Sequence, residues 1–215
     1  IKLKLIDREQ HISSLWKALT KSVIYSIESE YSAYKQTLDT LWKDSFDAIN
    51  TLINTQPKTL SLAGSYTSNK HKVIKQLTSL ETLNISESTL NKLPPLSELR
   101  NLDRLFALSC SMTDIANVSL IPSLSTLNLT NNQIKDFSPL HELQKLESLF
   151  LAGCDINRLE DFSDMTTLTN FILFNNNISD LSPLNSLKEL SSLYLGHNRI
   201  VDINPLQSLH NLEYL

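Results

Sequence analysis

The stretch that decides the fold runs from Leu124 to Leu140 and reads Leu-Ser-Thr-Leu-Asn-Leu-Thr-Asn-Asn-Gln-Ile-Lys-Asp-Phe-Ser-Pro-Leu. Its apolar residues lie 3, 5, 10, 13 and 16 positions after Leu124, and an asparagine, Asn132, lies 8 positions after it. This spacing fits neither a helix nor a strand alone. It predicts a short strand, then a turn, and then an irregular return leg.

The same pattern recurs every 22 residues. A fixed period of this length is typical of a solenoid, in which each coil buries few residues and stacking completes the core. Six repeats cover residues 80–211 without gaps, and residues 212–215 begin a seventh, so that we expect further repeats or another domain to follow. The repeats begin at Leu80, Leu102, Leu124, Leu146, Leu168 and Leu190.

This pattern resembles the leucine-rich repeat family, in the 22-residue class that includes bacterial internalins and a nuclear phosphatase regulatory subunit. The internalin version is matched most closely by Phe-Ser-Pro-Leu at residues 137–140, Leu-Ser-Pro-Leu at 181–184 and Ile-Asn-Pro-Leu at 203–206. The resemblance implies an α/β repeat solenoid, with a parallel sheet on the concave side of an arc and 3₁₀ or irregular legs on the convex side.

Residues 1–56 do not show the repeat. From His11 to Asn54 there is neither glycine nor proline, and apolar residues recur at steps of three and four, which predicts amphipathic helix. We interpret this segment as two helices folded as a hairpin. They would cap the apolar end of the array, which would otherwise expose core and a free strand edge; a separate upstream domain is the alternative.

Residues 57–79 predict a degenerate first coil. Leu60-Ser-Leu62 lies 23 residues before Leu83 and Ile85, which hold the strand positions of the next coil. Val73, Ile74 and Leu77 predict a helical return leg here in place of an irregular one.

The position 8 residues after each repeat start holds Ser88, Cys110, Asn132, Cys154, Asn176 and Asn198. In leucine-rich repeats this side chain turns inward and hydrogen-bonds backbone groups left open by the turn, which an amide can do as donor and as acceptor. The two cysteines lie two coils apart, so that their Cα atoms should be about 10 Å apart at about 4.8 Å per strand. This distance is too long for a disulfide, and we expect free structural thiols.

The remaining chemistry excludes several classes of function. With 19 basic and 23 acidic residues, the net charge of −4 gives no reason to expect nucleic acid or an anionic membrane as partner. No apolar run predicts membrane insertion. The five histidines are scattered, no metal-ligand spacing occurs, and the chain lacks a nucleophile elbow and a phosphate loop. We therefore expect no enzyme, no catalytic residue, no metal, no cofactor and no small-molecule substrate, and we assign Asp136, Asp161, Asp180 and Asp202 to turn capping.

The strand residues between the core leucines should point to the concave face, because side chains alternate across a strand. None is needed for the core, yet several are large and apolar, which is typical of a binding surface. The alternative is that another part of the protein, or a neighbouring molecule in a crystal, covers this face. The predicted partner-binding centre is Phe106, Leu108, Phe150, Ile172, Phe174 and Tyr194, with a polar rim of Arg104, Asn175, Asn177, His197 and Arg199.

These residues predict a non-catalytic protein–protein interaction module. The internalin-like legs imply a bacterial protein that engages a host protein. The helical segment is longer than the internalin cap, which favours a secreted or translocated effector over a surface-anchored adhesin. Two alternatives stay open: the substrate-recruiting arm of a larger enzyme, such as a ubiquitin ligase or a toxin, and an intracellular scaffold resembling the phosphatase regulator.

Overall fold

The computed structural model of the protein describes residues 52–66 and 68–215. The chain divides into two compact units, Ile1–Thr55 and Gln56–Leu215. The predicted helical hairpin lies outside the described residues, apart from a helical turn at residues 52–55. Whether this segment is a cap or a separate domain therefore stays a prediction. The second unit is described below by itself.

A parallel sheet forms one side of this unit, and each coil contributes one three-residue strand. Among the described residues there are seven such strands, and they pair in chain order. Successive strands align at the predicted 22-residue step, as in Leu127 opposite Leu149, while the first pair, Leu60 and Leu83, is offset by 23. The strands are β1 Thr59–Ser61, β2 Thr82–Asn84, β3 Arg104–Phe106, β4 Thr126–Asn128, β5 Ser148–Phe150, β6 Asn170–Ile172 and β7 Ser192–Tyr194.

The return legs are short and mostly 3₁₀-helical, as predicted, because a 22-residue coil has no room for a long helix. The first coil carries α1, Ser68–Ile74, where the sequence predicts a helical leg. Three of the 3₁₀ helices have proline in their first turn, where a missing N–H costs nothing. The 3₁₀ helices are η1 Ala116–Leu120, η2 Ser138–Glu142, η3 Glu160–Phe162, η4 Ser182–Ser186 and η5 Asn204–Ser208.

Aspartates begin four of these legs. The Oδ1 atoms of Asp114, Asp136, Asp180 and Asp202 each accept the backbone N–H two residues later, at 2.8–2.9 Å. The predicted capping role is confirmed for Asp136, Asp180 and Asp202. Asp161 differs, because it lies inside η3 and its backbone carbonyl accepts a bond from His141 Nε2.

The core is a set of stacked columns, one side chain per coil. The middle strand residues from Leu83 to Leu193 are fully buried. Phe162 has its ring centroid 5.3 Å from those of both Phe137 and Phe171, with a tilted contact to Phe137 and an edge-on contact to Phe171 in β6. Ile203 is 53% exposed because its coil has a described neighbour on one side only.

Candidate functional site: the concave face of the sheet

The face of the sheet that points away from the core, which we call the concave face as in the sequence analysis, is built by strand alternation and by register. The side chains of Leu149 in β5 and of Leu151 directly after it are fully buried, whereas Phe150 between them is half-buried and points to the other face. Register then places Phe150 beside Ile172, and Ile172 beside Tyr194. Adjacent members of this column are about 4.8 Å apart at the backbone.

Four predicted residues form what we call the apolar patch: Phe150, Ile172, Phe174 and Tyr194. All four are half-buried, and so is Leu108 further along the same face. The ring of Phe174 meets the imidazole of His197 edge-on, with centroids 4.8 Å apart. The structure therefore brings the patch together as one surface and places a predicted rim residue against it.

Phe106 does not have the exposure that the sequence predicts. It occupies the expected column, opposite Asn84 and Asn128, but only 3% of its surface is exposed. Ser61 and Thr82 at the same end of the face are 5% and 1% exposed. Alternation fixes the face from which a side chain leaves the strand, but not whether other groups close over it. Phe106 is thus a buried residue of the concave side, and the exposed apolar surface lies toward β5–β7.

The predicted polar rim is exposed as expected at Arg104, Asn175, His197 and Arg199, while Asn177 is half-buried. Arg104 Nε lies 3.7 Å from Asp103 Oδ2, so that its charge has a carboxylate neighbour. Both side chains of this ion pair are partly exposed, and exposed pairs of this kind contribute little to stability.

Left-handed backbone lines one edge of the face, a feature that the sequence analysis missed. The third residue after each of β2–β7 has a φ between 54° and 63°. Half of these positions hold asparagine or glycine, which tolerate this conformation better than other residues. This residue choice could have predicted the left-handed backbone from the sequence. These residues are Glu87, Ser109, Asn131, Gly153, Asn175 and His197.

Inward-facing asparagines hold the turns beneath this edge, as the resemblance implies. Asn132 Oδ1 accepts the backbone N–H groups of Cys110 at 3.1 Å and Met112 at 2.9 Å. Its Nδ2 donates to the carbonyls of Ala107 at 2.8 Å and Leu129 at 2.7 Å. Each asparagine of this kind therefore hydrogen-bonds backbone groups of its own coil and of the coil before it. These bonds tie neighbouring coils together beneath the patch.

The cysteine coils have a different turn. The thiol of Cys154 donates to the Leu129 carbonyl at 3.3 Å, and its backbone N–H bonds Asn176 Oδ1 at 3.0 Å. In both cysteine coils the next residue, Ser111 or Asp155, also adopts positive φ. We find no such residue after Asn132, Asn176 or Asn198.

The two cysteine thiols lie in the core and are held in their protonated form. Both cysteines are free and buried, and burial raises the pKa of Cys154 to about 11 and that of Cys110 in the same direction. Their thiolates are therefore scarce at neutral pH. No cluster of three or more His, Cys, Asp or Glu side chains within residues 52–66 and 68–215 is arranged to hold a metal ion.

Tyr214 is an aromatic residue of this face that the sequence analysis did not single out. It pairs with Ser192 beyond β7, and it is 52% exposed. Burial, and secondarily the charge of Tyr214, raise the pKa of Tyr194. Its place could have been predicted from the sequence, because Tyr214 lies two residues after Leu212, at the same repeat position as Ser192 in the coil before.

No described helix has the length and apolarity needed to cross a lipid bilayer.

Comparisons with known proteins agree with this architecture. The family model described as "Leucine Rich repeats (2 copies)" matches residues 122–165 and 166–208. No curated protein matches the chain in sequence. Among solved structures, internalin C2 of Listeria monocytogenes is 27% identical, with a TM-score of 0.63 over 74% of this chain and 80% of that protein.

Two further solved structures are complexes of larger repeat proteins. The complex of TLR13 with ssRNA13 aligns at 26% identity and a TM-score of 0.62, over 78% of this chain and 26% of that one. The mouse RP105/MD-1 complex aligns at 22% identity and a TM-score of 0.62, over 73% of this chain and 29% of that one, and shows a shared fold. Together with the 22-residue register, these matches identify the described array as leucine-rich repeats, similar to those of an internalin.

Proposed function

We propose that this protein is a non-catalytic interaction module that holds a protein partner on the concave face of its leucine-rich repeats. The observation that carries the proposal is the apolar patch, in which four large side chains of three neighbouring coils are only half-buried. Clusters of aromatic and aliphatic groups on an accessible surface commonly mark interaction sites, and aromatic residues concentrate at the centre of binding energy.

The framework beneath the patch supports this function. Parallel strands and the asparagine bonds between coils fix the side-chain positions before a partner arrives, so that binding orders little backbone. Extended concave surfaces of this kind are the usual binding surfaces of solenoids. RP105 is seen in complex with MD-1, which illustrates a repeat protein of this fold with a partner.

Nucleic acid is the less favoured ligand, although TLR13 is seen with an RNA. Arg104 is the one lysine or arginine at the concave positions of the seven described strands, and it has an aspartate beside it. Affinity for a phosphate backbone depends on several cationic contacts. The net charge of −4 argues in the same direction.

The contact set that we propose is the predicted one with Phe106 left out as a direct contact, because it is buried. The patch supplies the centre, Leu108 extends it, and the rim supplies polar contacts around it. We further propose that the protein is part of a bacterial effector, secreted or translocated, with a host protein as partner. The similarity to a Listeria internalin supports this origin; a recruiting arm of a larger enzyme and an intracellular scaffold are the competing roles.

The test is a triple substitution, Phe150→Ala with Phe174→Ala and Tyr194→Ala. Leu120→Ala is the matched control, because it removes a 45% exposed apolar side chain from the end of η1, away from the concave face. Cross-linking and mass spectrometry on host-cell extract would identify proteins bound to the wild type, and titration calorimetry with each purified candidate would follow.

We expect the triple variant to bind the partner about 100-fold more weakly or worse, since truncating a central hot-spot residue costs about 2 kcal/mol or more. The control should bind as the wild type does. Full affinity in a correctly folded triple variant would remove the concave face as the binding site.

A further inference from the structure

We infer that the partner segment lying over the apolar patch presents uncharged side chains, aromatic or aliphatic with neutral polar groups, and that charge steering does not drive its binding. This inference rests on the proposed function and names the chemistry of the partner at the same site. It follows from two features of β4–β7, namely where charges are absent and how the polar side chains are already bonded.

The concave positions of β4–β7 are the first and third residues of each strand and the second residue after it. In the chain as a whole, charged residues make up 20%, yet these positions hold no Asp, Glu, Lys or Arg. The charges lie at the borders instead. Glu147 precedes β5 and Arg199 follows the turn after β7, and both are exposed.

Three of the six polar side chains among these positions, those of Asn128, Ser148 and Asn170, are engaged within the face. Asn128 Oδ1 accepts the backbone N–H of Thr130 at 3.0 Å. Asn170 Nδ2 donates to Ser148 Oγ at 3.1 Å and to Thr169 Oγ1 at 3.0 Å. These groups are therefore poorly placed to replace the hydration shell of an incoming ion.

A charged side chain placed over this surface would lose water and find no counter-charge. Burying an unpaired charge is unfavourable whichever its sign. Uncharged aromatic and aliphatic side chains avoid this cost and gain contact with Phe150, Phe174 and Tyr194. The face thus selects a partner segment by the absence of charge.

The first experiment uses a phage-displayed library of random linear peptides as the probe. Selection on the wild type is followed by counter-selection on a variant carrying Phe174→Ala and Tyr194→Ala, so that peptides dependent on the patch remain. We expect these peptides to be depleted of charged residues relative to the unselected library. For a synthetic copy of the strongest binder, Kd should change less than about twofold between 0.05 and 0.5 M NaCl, because salt screens charge–charge contacts.

The second experiment changes the charge of the face with both signs at one site. Ser148 begins β5, two residues before Phe150. Ser148→Glu and Ser148→Lys should each weaken the selected peptide about tenfold or more, whereas Ser148→Gln, the neutral control of similar size, should change Kd less than about threefold. Circular dichroism confirms that all three variants are folded.

The outcomes separate this inference from the proposed function. If patch-dependent peptides carry clustered charges, or if one sign at residue 148 tightens binding, the inference is wrong and concave-face binding stands. If no peptide depends on Phe174 and Tyr194, or if a panel of neutral glycans binds there in place of peptides, the inference and the proposed protein-binding function both fail.

Discussion

Asn132→Ala should destabilise the array more than its single amide suggests, because this side chain serves two coils. It is 2% exposed, and its Oδ1 is the acceptor for the N–H groups of Cys110 and Met112. Alanine leaves both N–H groups buried without that acceptor. An unsatisfied buried group costs about 1–3 kcal/mol, so that we expect the free energy of unfolding to fall by about 2–6 kcal/mol.

Two matched substitutions define which bonds matter. Asn132→Cys introduces the residue found at the same position in the neighbouring coils, where the thiol donates to a backbone carbonyl. It should recover the donor part of the interaction but not the acceptor part, and should therefore fall between wild type and alanine. Asn185→Ala in η4 removes an exposed amide, and we expect a change within about 0.5 kcal/mol.

Urea unfolding followed by far-UV circular dichroism measures the overall loss. Hydrogen exchange then locates it, since the amides of Cys110 and Met112 should lose protection while those of β7 should keep it. Coils of a solenoid are stabilised mainly by their neighbours, so a local measurement is needed beside the global one. A loss below about 1 kcal/mol, or unchanged protection at residues 110 and 112, would refute the reasoning.

Two further predictions concern the turns. Gly153→Ala should lower the free energy of unfolding by about 1–2 kcal/mol, because φ is +63° and the new Cβ would lie 2.5 Å from Asn131 Oδ1. In an Asn131→Gly background this loss should be smaller. An equal loss in both backgrounds would exclude the clash with the Asn131 side chain. Since the pKa of Cys154 is raised to about 11, Ellman's reagent at pH 8 should detect no thiol in the folded protein and both in urea. Stability contributed by this thiol should be complete below about pH 8.5 and decrease from there toward pH 11. Cys154→Ala should make this slope shallower without abolishing it, because the pKa of Cys110 is raised as well.

The strand positions could be predicted residue by residue, because each coil repeats the same physical problem. A coil can bury its leucines only by stacking on the next, so that a 22-residue sequence period becomes a 22-residue strand register. The 3₁₀ legs and the inward Asn132 were expected from the resemblance to leucine-rich repeats. The spacing of apolar residues predicted the exceptional first coil, where Val73, Ile74 and Leu77 are buried and α1 replaces the irregular leg.

The turns were harder to predict from the sequence, because their geometry depends on which side chain hydrogen-bonds to which backbone group of the adjacent coil. Asn132 faces Cys110 in the preceding coil, and Cys154 in the following coil offers no equivalent carboxamide oxygen. The second positive-φ residue appears in the two coils that contain cysteine, although neither Ser111 nor Asp155 is glycine. A repeat consensus treats every coil as the same and therefore misses such differences.

The concave face shows where reasoning from a repeat stops. Phe106 and Phe150 are the same residue type in the same column, and both lie beside Asn128. Their strands place them equivalently, yet Phe106 is 3% exposed and Phe150 is half-buried. Position in the coil therefore determines which face a side chain occupies, but it does not by itself determine how far that side chain is exposed. Large apolar side chains that combine a concave position with partial exposure cluster at β5–β7, and the proposed binding site is placed there for this reason.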